Sequence, residues 1–106
     1  MTNDDLNHLY DVMIDYYHFA SFKQKSRRRC VVEKKMMFAL VAYRHGASYR
    51  QIADFFEWSC HSVAINAVKQ MRGFIEIYPQ FQQQLEDIER AYGIYEKMKV
   101  LAAYSD

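Results

Sequence analysis

Apolar side chains return every three or four residues along most of this chain, and the breaks in that rhythm divide it into five helical stretches. Between residues 4 and 20, Leu6, Leu9, Tyr10, Met13, Ile14 and Tyr17 fall on one face, the pattern of an amphipathic helix. The next segment, "SFKQKSRRR" at 21–29, has no apolar period and reads as a linker. Val32, Met36, Leu40 and Tyr43 then form a stripe along a second helix over 31–45, and Gly46 is a natural stop. Ser48 opens a short third helix. Gln51 sits at its third position and completes an S-x-x-Q capping box, while Ile52, Phe55 and Phe56 point inward. Residues 57–59 form a turn, and a fourth helix over 60–76 buries Ala64, Val68, Met71 and Ile75. Pro79 suits the first position of a fifth helix. Along it Phe81, Leu85, Ile88, Tyr92 and Tyr95 repeat at 4-3-4-3 spacing, and Gly93 is a point where it kinks or ends.

The expected fold is therefore all-α, a five-helix single domain. It divides into an N-terminal helix over 1–22, a linker over 23–30, a central unit over 31–92 and a helical extension over 93–106. Composition agrees. The 51 % of apolar residues argue against disorder, and one Pro and three Gly are too few for an all-β fold. No apolar run approaches the roughly 20 residues of a membrane span. The first 20 residues hold four Asp and neither Lys nor Arg, unlike a signal peptide, so the chain reads as cytoplasmic. Cys30 and Cys60 lack metal or disulfide spacing and read as free thiols.

The net charge of +1 conceals a strong asymmetry. Residues 23–50 hold nine bases (Lys23, Lys25, Arg27, Arg28, Arg29, Lys34, Lys35, Arg44, Arg50) and one acid, Glu33, whereas each remaining segment is net negative. Such a block is either a solvated stretch or a surface that faces phosphates.

Two helices joined by a short turn, the second led by small polar groups, fit a helix-turn-helix. On the fourth helix His61, Ser62, Asn66 and Lys69 fall within about 140° of arc. His61 either bonds a base edge or caps the helix. Ser62 can meet a base or a phosphate, Asn66 can read adenine with two bonds, and Lys69 suits a phosphate. Trp58 reads as half-buried in the turn, and His8, His18 and His45 as surface or satisfied histidines. An enzyme is not expected: adjacent Cys60 and His61 point about 100° apart, poor geometry for a nucleophile and its base. No cofactor is implied.

The central residues also carry a resemblance. Residues 28–92 resemble the C-terminal DNA-binding domain of the bacterial replication initiator DnaA, whose pattern runs S-L-P-E-I-G-x-x-F-G-x-R-D-H-T-T-V-x-H-A-x-x-K-I. In the ungapped register from residue 48, Ser48, Ile52, Phe56, His61 and Ala67 coincide with it, and Ser62 stands for a threonine. The resemblance implies a Trp-repressor-like helix-turn-helix that binds double-stranded DNA, in replication or transcription control. Charge, helix geometry and the resemblance together give Arg27, Arg28, Arg29, Lys34, Lys35, Ser48, Arg50, Ser59, His61, Ser62, Asn66 and Lys69 as the expected contacts. The departures are specific: Cys60 replaces an Asp, Val63 a Thr, Asn66 a His, and Glu57-Trp58-Ser59 a Gly-x-Arg turn. Each lost base contact is worth roughly 1–3 kcal/mol of discrimination. Binding mode carries over and target sequence does not. No GxxxxGK[ST] loop is present, so no nucleotide partner is expected. The alternative is a protein–protein adaptor of the same fold. It would dimerise or dock through its first and last helices, with Tyr16, Tyr17 and Tyr95 as an apolar patch.

Overall fold

The computed structural model describes residues 1–18, 21–23, 25 and 27–104, with side chains as far as Ile94 together with Glu96. Among them the chain forms five α-helices and no strand: α1 (Asn3–Tyr17), α2 (Arg29–Arg44), α3 (Tyr49–Phe55), α4 (His61–Ile77) and α5 (Pro79–Tyr104). None of these helices is long and apolar enough to cross a membrane.

Local chemistry explains most boundaries. Thr2 and Asp5 form a reciprocal capping box at α1, with Asp5 N donating to Thr2 Oγ1 at 3.2 Å and Thr2 N to Asp5 Oδ2 at 3.1 Å. Ser48 and Gln51 repeat the device at α3, as their spacing predicts. At the end of α2, Gly46 takes φ +101°, which lets Ala47 N reach Ala42 O at 2.9 Å and Gly46 N reach Tyr43 O at 3.2 Å. That pair of bonds is a Schellman stop. The turn after α3 uses the same geometry without a glycine. Trp58 N donates to Ala53 O at 2.9 Å and Glu57 N to Asp54 O at 3.2 Å, so Glu57 is forced to φ +57°. The turn is accordingly longer than expected, residues 56–60, and Cys60 occupies the cap position of α4.

Helix α2 is the centre. Every residue from Lys35 to Ala42 is buried, because α1, α3, α4 and α5 all pack against it. An all-round apolar run is what a core helix needs, where a surface helix would show one stripe. Val32, expected inward, stays exposed at one end of that run, and Tyr43 is half-buried at the other. α2 also starts two residues earlier than its periodicity suggests, at Arg29. α5 continues through Gly93 to Tyr104, so the glycine does not end it. Phe81, Leu85, Ile88 and Tyr92 are buried on its inner side as the 4-3 spacing requires, while the side chain of Tyr95 and residues 19, 20, 24, 26, 105 and 106 lie outside what is described.

The linker is the main surprise. Phe22 is fully buried, with its ring 4.6 Å from Tyr10 and 6.3 Å from both Phe38 and Phe56. Phe38 in turn stacks on Phe55 at 4.8 Å and meets Phe56 edge-on at 5.0 Å. The linker is thus pinned to the core midway, and Phe22 N also donates to Tyr10 Oη at 3.1 Å. α1 is tied to α5 by Tyr16 Oη donating to Asp87 at 3.1 Å and Tyr17 Oη to Gln84 at 2.8 Å. Tyr16 and Tyr17 therefore face the molecule's own last helix and form no open patch.

Two substitutions check this account by urea or thermal unfolding. Phe22→Ala should cost about 3–5 kcal/mol, although its neighbours are polar, because it empties a closed aromatic cluster. Glu57→Gly should raise stability by about 0.5–1 kcal/mol, since it relieves a side chain held in the left-handed region.

Candidate nucleic-acid interface

Helix α4 packs through Ala64, Ala67, Val68 and Met71 and leaves His61, Ser62, Asn66, Lys69 and Gln70 exposed. Trp58 anchors its entry, half-buried with its ring 4.9 Å from Phe56. His61 is the first residue of the helix and does not cap it. Cys60 holds the cap position, without a side-chain bond to the helix backbone, and its Sγ lies 2.8 Å from Ser62 Oγ. The imidazole of His61, the amide of Asn66 and the ammonium of Lys69 make no hydrogen bond or ion pair among the described residues. Ser62 is engaged with Cys60 but retains further bonding capacity.

The basic block does not act as one patch. Arg27 and Arg28 are exposed just before α2. Arg29, also exposed, bonds Glu33 at 2.8 Å and borders a depression with Tyr78, Phe81 and Gln84 on the side of α5. Lys34 turns to α1, with its ammonium 4.8 Å from the centre of the Tyr17 ring. Lys35 is only 7 % exposed and lies 5.8 Å from the Phe56 ring, where burial lowers its pKa. Its stem is used as core, which removes it from the outward-facing cations. Arg50 is exposed on the first turn of α3, and Ser59 is exposed in the turn. Ser48 Oγ is occupied by Gln51 N at 3.1 Å, so Ser48 serves its helix first.

What the structure does bring together is the beginning of α2 and the beginning of α4. Val32, Lys35 and Met36 on one side and Val63, Asn66, Ala67 and Gln70 on the other line a single groove of about 270 Å³, with Trp58 at its edge. Arg28 holds the N-cap position of α2, one helical turn before Val32. On the other flank of α4, Arg72 lies with its guanidinium carbon 5.5 Å from the centre of the Tyr43 ring, and Tyr43 stacks on Tyr49 at 4.6 Å and 9°. None of these three stood out in the sequence. Arg72 had a signal, its i+3 spacing from Lys69. The tyrosine pair had none, because it closes across the α2–α3 turn. Glu76, Glu86 and Glu89 border a depression that Arg44 and Arg72 also line.

Comparison with known proteins gives no match: no family model, curated protein or solved structure corresponds to the chain.

The thiols supply a local check on the start of α4. Cys30 and Cys60 are both free and exposed. Bonds from the Ser62 side chain and backbone favour the Cys60 thiolate and lower its pKa. At neutral pH, iodoacetamide should therefore label Cys60 faster than Cys30. Ser62→Ala should reduce that preference, read by mass spectrometry of timed digests.

Proposed function

We propose that this chain is a duplex-DNA-binding module that uses α3 and α4 as a helix-turn-helix, with the start of α4 in the major groove. The observation that carries the proposal is the state of the α4 face. His61, Asn66 and Lys69 are exposed and uncommitted, and Arg28 and Arg50 lie on the two elements next to them. Uncommitted polar groups on a helix start, with exposed cations on the neighbouring elements, are what a phosphate-facing surface presents. In this reading His61, Asn66 and Ser62 meet base edges. Arg27, Arg28, Arg50 and Lys69 hold phosphates, with Ser59 at the turn beside them. Arg29, Lys34 and Lys35 are assigned to the protein's own structure. The resemblance of residues 48–71 to the DnaA domain supports the same mode and suggests replication or transcription control in a bacterial setting. It rests on the matching residues alone.

A protein–protein adaptor is the second reading. Its support is the exposure of Ile77 (68 %) at the end of α4 and Ile94 (58 %) on α5, which would suit a partner helix or a second copy.

Fluorescence anisotropy with random and selected duplexes at several salt concentrations separates the two. The DNA reading expects log affinity to fall linearly with log salt, with a slope of about 0.9 per phosphate contact. Arg28→Ala should weaken all duplexes alike and reduce that slope by about one contact. His61→Ala should leave the slope unchanged and flatten the preference for the selected site by about 1–3 kcal/mol. Arg29→Ala should do little. Absent or salt-insensitive binding would transfer the function to the adaptor.

A further inference from the structure

We infer that Arg72, held over the ring of Tyr43 where it stacks on Tyr49, is a phosphodiester anchor on the flank of α4 away from the groove shared with α2. This rests on the DNA reading and extends it to a contact set outside the resemblance. Angular position comes first. At 100° per residue, the base-facing residues His61, Ser62 and Asn66 centre on one direction of α4. The groove residues Val63, Ala67 and Gln70 lie about 120° to one side of it, and Arg72 lies about 70° to the other. A helix lying in the major groove with its central stripe on the bases has one phosphate strand along each flank. Arg72 lies on the flank away from the groove shared with α2.

The second argument is how Arg72 is held. Glu76 is one turn on, the usual spacing for a helical ion pair. Glu76, Glu86 and Glu89 all border the depression that Arg72 also lines. Even so, Arg72 forms no ion pair with them among the described residues, and its guanidinium rests on the Tyr43 ring at 5.5 Å. Tyr43 is fixed by its 4.6 Å stack with Tyr49, the first residue of α3, and exposed Arg50 follows directly. A guanidinium on an aromatic platform keeps its in-plane N–H donors free at the edge. That fork matches the two free oxygens of a phosphodiester. The platform also limits rotamer freedom, so less entropy is lost on contact.

The test is a salt series of duplex anisotropy titrations on the full chain. It compares wild type with Arg72→Gln, Tyr43→Leu, the double variant and Arg44→Gln, after circular dichroism shows each one helical. Arg44 is the control, a neighbouring arginine already paired with Glu89 at 3.2 Å. Arg72→Gln should reduce the salt slope by about 0.9 and weaken all duplexes alike, several-fold at 0.1 M salt. Tyr43→Leu should reproduce much of that loss, and the double variant should be no worse than Arg72→Gln. Arg44→Gln should stay within about twofold. An unchanged slope in Arg72→Gln, while the wild type still binds with a His61-dependent preference, overturns the anchor and leaves the DNA reading standing. A full additional loss in the double variant overturns the role of the platform. A wild type that binds no duplex removes the DNA reading and the anchor together. Should Tyr43→Leu prove misfolded, Arg72→Lys decides the platform question. It keeps the charge but loses the planar fork, and should recover less than half of the lost affinity.

Discussion

The ring of Phe38 is the point on which this fold closes. It sits in the middle of the buried run of α2 and is met by Phe55 and Phe56 from α3, Tyr10 from α1 and Phe22 from the linker. Aromatic side chains bury the most area per residue, and a chain of this length has few other means of joining elements far apart in sequence. The consequence reaches the α4 face. Phe56 ends α3 and supports Trp58, and Trp58 leads into Cys60 and His61, so the direction of α4's first turn is inherited from the aromatic centre.

Much of the architecture was legible because it is local. The capping box of Ser48 and Gln51, the stop at Gly46, Pro79 at the head of α5 and the 4-3 stripe along it depend on neighbours within four residues, and each appears where its spacing places it. The failures share the opposite property. Phe22 lies in a polar, aperiodic stretch, and only the three-dimensional position of Tyr10 and Phe38 makes it core. Lys35 looks like its neighbour Lys34, yet one turns to Phe56 and the other to Tyr17. Charge count could not separate them, because the choice depends on which helix packs beside each face of α2. The Glu57 turn was obscured for a different reason. The left-handed position normally announces itself with glycine, and here the surrounding bonds impose it on a glutamate.

The same reasoning applies to the candidate interface. The outward position of His61, Asn66 and Lys69 followed from helical periodicity alone. Their surroundings did not. The groove shared with α2 and the Tyr43–Tyr49 platform are products of packing between helices distant in sequence, and they give α4 two different flanks. One flank is apolar, with Val32, Val63 and Trp58. The other carries a cation on stacked rings.

Charge commitments then set what kind of binder this surface suits. Arg29 is paired with Glu33 and Arg44 with Glu89, and His45 stands within 3.4 Å of both Glu89 and Glu96. These contacts join α2 to itself and to α5, and they commit two of the nine bases in the block, Arg29 and Arg44. The cations left around α4 are few, and the acids of α5 begin close behind Arg72. Phosphates beyond the two flanks would meet repulsion, since an unscreened like charge acts over about a Debye length, roughly 10 Å at 0.1 M salt. On the DNA reading the footprint is therefore short, the sequence-independent part of the affinity is modest, and discrimination has to come from the few uncommitted polar groups at the start of α4. On that reading Cys60 at the cap and Val63 and Asn66 on the first turns of α4 belong to the same stretch. A change of target there needs no change in the fold beneath it.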